Sequence, residues 1–203
     1  MASELGPVLE ALYRGERDRA GELAAEAGSL NVFEAAALGD AERLEELLRE
    51  DSRLAKVPSP DGFTALHYAA FFGSPDAVRA LVAAGADPAL KAQDGSNVLM
   101  AAASGARMKT FTYAFEIDPN VSVVTTTGNT IMHVAVGLNG RTQPEVCEVI
   151  QFLADHGAKL DELNGAGRTP IAVADNLPVD MAVDLLTKLI TARGEKPKIP
   201  SKR

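Results

Sequence analysis

Residues 61–70 read Asp61-Gly62-Phe63-Thr64-Ala65-Leu66-His67-Tyr68-Ala69-Ala70, followed by Gly73-Ser74-Pro75-Asp76-Ala77-Val78 and then Gly85-Ala86-Asp87. Asp61-Gly62 is a turn dipeptide. Leu66, Ala69 and Ala70 fall at i, i+3 and i+4, one face of a helix, and alanines there let a neighbouring helix approach closely. Ser74-Pro75 suits a second helix start, with Ser74 as cap and Pro75 in the first helical position. Val78, Leu81 and Val82 repeat the apolar spacing, and Gly85 can take the left-handed conformation that ends the helix. The stretch therefore spells turn, inner helix, short loop, outer helix.

The Gly-centred turn returns at Asp94-Gly95 and at Thr127-Gly128, each 33 residues after the last. A fixed period of that size marks stacked supersecondary units, none of which encloses its own apolar face. The Thr-Ala-Leu-His-Tyr-Ala run of residues 64–69 and the period together resemble the ankyrin repeat, with Ala65 where that family usually has proline. The copy from Thr127 keeps the signature in Thr130-Ile131-Met132-His133-Val134-Ala135, and the last has Gly167-Arg168-Thr169-Pro170-Ile171-Ala172. The copy from Asp94 keeps only an apolar rhythm, Asn97-Val98-Leu99-Met100-Ala101-Ala102-Ala103. Upstream, Val32 to Asp40 with Leu44 to Leu48, and Val8 to Gly15 with Ala20 to Ala24, echo the unit in shortened form.

The expected fold is all-α, an ankyrin-repeat solenoid of about six stacked helix pairs with short β-turn fingers. Residues 1–193 form a single domain in this reading. Residues 1–30 and 31–60 are N-terminal capping units, 61–93, 94–126 and 127–166 internal repeats, and 167–193 a C-terminal capping repeat. Residues 194–203 are a basic, disordered tail. The unit from Asp94 lacks the Thr, the His and the helix-ending Gly, Asp118-Pro119 standing in the last place, and is expected to be the weak link of the stack. The interval from Thr127 to Ala166 is 39, six longer than the period. The excess falls in Gly137-Leu138-Asn139-Gly140-Arg141-Thr142-Gln143, whose composition reads as flexible loop.

Composition fits thin alanine- and leucine-filled layers: 46% apolar, 5% aromatic, no Trp. The net charge is −8, and residues 1–60 carry 13 acidic and 7 basic side chains, hence −6 there. A phosphate backbone calls for a basic surface, so nucleic acid is not an expected partner. No stretch has the ~20 apolar residues of a membrane span, and no basic-then-apolar leader opens the chain, so no membrane partner is expected. The single Cys147 can form no internal disulfide and reads as a packing residue in a reducing, cytoplasmic protein.

The search for chemistry returns no Gly-rich phosphate loop, no His-Glu-x-x-His, no cysteine pair and no nucleophile elbow. No enzyme activity, cofactor or metal is expected. His67 and His133 lie 66 residues apart, two periods, which makes them the signature histidines. The resemblance implies that they bond backbone and the hydroxyls of Thr64 and Thr130. Equivalent positions in non-adjacent repeats are too far apart to share an ion.

Family members mostly bind other proteins, on a concave side built from finger tips and exposed inner-helix positions. Carried over position by position, this implies contacts from Asp61, Phe63, Phe71 and Phe72 in the best copy. Gln93, Asp94 and Ser96 follow from the next, then Thr126, Thr127 and Asn129, and finally Arg168. Phe71 and Phe72 can equally pack between inner helices, beside Ser104 and Gly105; both readings stay open. The expected function is a monomeric interaction module that binds another protein. The alternatives are a regulatory or targeting subunit of an enzyme whose catalytic part lies elsewhere, and an engineered binding scaffold, against which the irregular repeats stand.

Overall fold

The structure is a computed structural model that describes residues 5–105, 107–177 and 179–198. Among them are twelve α-helices: α1 (Pro7–Tyr13), α2 (Arg17–Ala27), α3 (Val32–Leu38), α4 (Ala41–Glu50), α5 (Ala65–Phe72), α6 (Pro75–Ala83), α7 (Val98–Gly105), α8 (Met108–Ile117), α9 (Ile131–Ala135), α10 (Gln143–Asp155), α11 (Pro170–Asp175) and α12 (Asp180–Ala192). Consecutive helices pair as hairpins, α1 with α2 through α11 with α12. The odd-numbered helices form an inner row in which each packs on the next, and the even-numbered helices from α4 to α12 form the outer row. The result is the expected all-α solenoid.

Small side chains make the inner row possible. Ala35, Ala36, Ala69, Ala70, Ala102 and Ala103 are fully buried where α3, α5 and α7 meet. The outer helices supply the larger apolar groups, among them Leu44, Leu81, Phe111, Leu153 and Leu186. One continuous core therefore runs from Val8 to Ile190. Local signals start the helices as expected: Ser74 Oγ accepts from Ala77 N–H, and Thr142 with Glu145 closes a capping box at α10.

The signature histidines bind the units together. His133 Nε2 lies 2.9 Å from the Arg168 carbonyl, an acceptor only, so Nε2 carries the proton and donates. Nδ1 then accepts from the Thr130 hydroxyl at 2.8 Å and the Thr130 N–H at 3.1 Å. His67 does the same between Thr64, 2.8 Å away, and the Ser96 carbonyl at 3.4 Å. Each imidazole spans the gap from its own inner helix to the next finger. Burial pushes both histidines below their ordinary pKa, opposed by the carbonyl contacts and by the charges of Asp94 and Glu162.

The unit from Asp94 has its own substitute for the missing signature. Asn97 occupies the place of Thr64; its side-chain oxygen accepts from Met100 N–H at 3.0 Å and its amide donates to Asp118 at 2.5 Å. Asp118, which stands where glycine was expected, thus ties the end of α8 to the start of α7.

The flexible reading of the inserted loop needs correction. Arg141 is only 5% exposed, and its guanidinium donates to the carbonyls of Ser104, Ala135 and Gly137 at 2.9, 3.1 and 2.7 Å. These oxygens sit in or just past the last turns of α7 and α9, where helix geometry leaves carbonyls without partners and favours a cation. Burial lowers the Arg141 pKa to about 10, opposed by nearby Glu145. Asn139, in the left-handed region at φ 43°, donates to Ser104 O and Oγ. A lone arginine in a Gly/Asn loop gave no sequence sign of this.

Of the expected tail, residues 199–203 lie outside the described residues. Lys198 is anchored: its carbonyl accepts from Thr169 Oγ1 at 3.0 Å and its ammonium lies 3.1 Å from Asp161. Among the described residues, no helix is long and apolar enough to cross a membrane.

Candidate partner-binding surface

Fingers and inner helices create one surface. Backbone bonds link each finger to the next: Gln93 N–H to Gly62 O at 3.0 Å, Thr126 N–H to Asp94 O at 2.7 Å, and Gly165 N–H to Thr127 O at 2.9 Å. Such bonds require close approach. A Cβ on Gly128, at φ 78°, would come within 2.5 Å of the Gly165 nitrogen. This row brings Asp61, Gln93, Asp94, Thr126, Thr127, Asn129 and Arg168 to one edge. Gln93, Asp94, Thr126, Thr127 and Arg168 are exposed; Asp61 and Asn129 are half-buried. Asn129 also accepts from Asn164 Nδ2 at 2.8 Å, which ties its finger to the following one.

Ser96 departs from the expectation. It is buried, at 6% exposed, because its hydroxyl and N–H both bond Asp94, at 2.5 and 2.9 Å. Its side chain shapes the finger and offers no free hydroxyl to a partner.

The three nominated phenylalanines lie together, half-buried on the inner-helix side. Phe71 and Phe72 meet edge to face, 4.9 Å between centroids, and Phe63 lies 6.3 Å from Tyr68. Both open readings of Phe71 hold in part. Its carbonyl and ring would meet a Cβ placed on Gly105 at 2.7 and 3.0 Å, so one side is packed, while another lines a cavity.

Two tyrosines complete the group and were not foreseen. Tyr68 is 2% exposed, and its hydroxyl reaches both carboxylate oxygens of Asp61, at 2.7 and 2.8 Å. Ser59 Oγ also donates to Asp61. Tyr13, at the end of α1, is 47% exposed and reaches past α3 to Phe72 and Phe71, at 5.4 and 6.0 Å. Burial pushes the Tyr13 pKa up to about 12, with the Asp61 charge adding to the effect. Between these rings lies a cavity of about 230 Å³, floored by Met100 and Ala101 of α7. A second aromatic group lies on the outer row, where Phe152 stacks on His156 at 4.0 Å.

Among the described residues, no three His, Cys, Asp or Glu side chains are placed to hold a metal ion. Cys147 is half-buried and its thiol pKa is raised by burial.

Paired helices, bridging histidines and a linked finger row define a repeat protein built to present a surface. The chain matches the family described as "Ankyrin repeats (3 copies)" over residues 8–92, 32–122 and 66–164, and it belongs to that family. Ankyrin repeats are generally protein–protein interaction modules. A human protein, "DNA-binding protein RFXANK", is 38% identical over 77 residues, which is 38% of this chain and 30% of that protein's length.

Proposed function

We propose that this chain is a non-enzymatic, monomeric module that binds another protein through its finger row and inner-helix face. The observation that carries the reading is the aromatic group. Tyr13, Phe63, Phe71 and Phe72 lie together yet remain partly open, beside a row of exposed polar finger tips. Rigid aromatics with a polar surround are the composition of binding hot spots. The net charge of −8 disfavours direct contact with a phosphate backbone, whatever the human relative binds. Cytoplasmic location belongs to the same proposal.

The test is capture of partners from the source cell with the natural chain and with a Phe63→Ala, Phe72→Ala double variant, after both are matched for helicity and melting. Loss of a partner with stability kept supports the surface. Retention of every partner would assign the rings to the core alone and overturn the site.

A further inference from the structure

Most polar groups that border the aromatic cavity are already engaged. Ser96 Oγ bonds Asp94, His67 bonds Thr64 and the Ser96 carbonyl, and Ser104 Oγ and carbonyl both accept from Asn139. The Tyr68 hydroxyl is committed to Asp61. An occupant therefore gains little from hydrogen bonds inside. Two chemistries suit such a site: a branched hydrocarbon, and an ammonium whose protons are replaced by methyl groups. A plain ammonium would lose its hydration without replacement.

Charge separates the two. Four rings, Tyr13, Phe63, Tyr68 and Phe71, wall the cavity. They are inclined to one another, Tyr13 to Tyr68 at 61° and Phe63 to Tyr68 at 70°. No lysine or arginine lines it, and burial lowers the pKa of His67. Carboxylates stand behind the wall: Asp61 on the Tyr68 hydroxyl, and Asp94 close enough to His67 to act on its charge. A phenol that donates to a carboxylate has a more electron-rich ring, which favours a cation over its face. Arg14, Arg17 and Arg107 line the adjoining cavity instead, where Arg14 faces Glu10 and Arg107 pairs with Glu145. At about 230 Å³ the space is below the usual range for whole small-molecule ligands and suits a single side chain.

We propose that this cavity receives the methylated ammonium group of a lysine side chain, presented on an extended segment of the partner protein. The proposal rests on the inner-helix face being the binding surface. It adds what that surface selects: a permanent cation that carries its own apolar coat.

The experiment uses the full chain with ¹³C-labelled methionine methyls, Met100 serving as the reporter in the cavity floor. It is titrated with N-acetyl-trimethyllysine amide, with the unmethylated lysine amide, and with the uncharged isostere in which carbon replaces the quaternary nitrogen. The trimethylated probe is expected to shift Met100 saturably and to bind roughly 5- to 30-fold tighter than the isostere, the range of a desolvated cation–π contact. Tyr13→Leu, at a half-exposed position, and Phe63→Leu should each remove most of that preference while melting is retained. Equal or tighter binding of the isostere, equal binding of plain lysine, or no saturable shift at Met100 overturns the proposal. A hydrocarbon preference would leave the docking surface standing. Partner capture that survives Phe63→Ala, Phe72→Ala would remove the docking surface and leave the probe result intact, so the two readings fail separately.

Discussion

The hydroxyl of Tyr68 sits between the two carboxylate oxygens of Asp61, 2.7 and 2.8 Å away, and so fastens the middle of an inner helix to the tip of its own finger. Tyr68→Phe keeps the ring and removes the bond. Stability should fall by about 1.5–3 kcal/mol, as expected for a largely buried hydrogen bond to a charged acceptor. The check is the urea midpoint; an unmoved midpoint would show that Ser59 alone suffices to hold Asp61.

His67 and His133 make stability depend on pH in a definite direction. Both have folded-state pKa values below the unfolded value of about 6.5. The unfolded chain therefore binds more protons as pH falls through 6.5, and stability drops. It levels off only below the folded pKa values. Melting temperature measured from pH 8 to pH 5 should decline on the acid side, and less steeply in His67→Gln than in the natural chain. Substituting His67 by Ala should cost about 1–3 kcal/mol, since two neighbouring polar groups lose their partner.

Arg141→Ala should be among the more damaging loop substitutions, at about 2–3 kcal/mol, because it uncovers carbonyls at the ends of two helices. Arg141→Lys should recover only part of this, because the lysine side chain is one atom shorter and lacks the Nε–H that donates to the Leu138 carbonyl. Chemical denaturation of the three proteins decides it: equal stability would return the loop to the flexible reading.

Asn97 is expected to govern the unit from Asp94. Hydrogen exchange should be faster in α7 and α8 than in α5 and α6, because the unit lacks the bridging histidine. Asn97→Ala should widen the gap by releasing both Met100 N–H and Asp118. Equal protection in the two units would show that Asn97 and Asp118 replace the signature in full.

The 61–93 unit was legible because its signals are local. A turn glycine, a capping serine and apolar residues at helical spacing each act within a few positions, and the 33-residue period carried them along the chain. Asp94 and Thr126 could be placed on one edge by that period, and Arg168, past the six-residue excess, by the signature that follows it. What escaped depended on distance or context. Tyr13 is 50 residues from Phe63 and meets the same cavity only because α1 stacks on α3 and α3 on α5. Ser96 looks like a finger-tip contact in sequence, yet Asp94 turns it inward. Arg141 has the composition of a solvated loop residue, and only the adjacent helix ends make its burial favourable.

The bonds that Gln93 and Thr126 make to the preceding finger use backbone atoms alone, so at these positions the edge is held by a framework indifferent to which side chains it carries. Gln93 and Thr126 can change identity while the amide of Gln93 still meets Gly62 and that of Thr126 still meets Asp94. Inheritance can therefore rewrite what the edge recognises one letter at a time, without renegotiating how the molecule stands up.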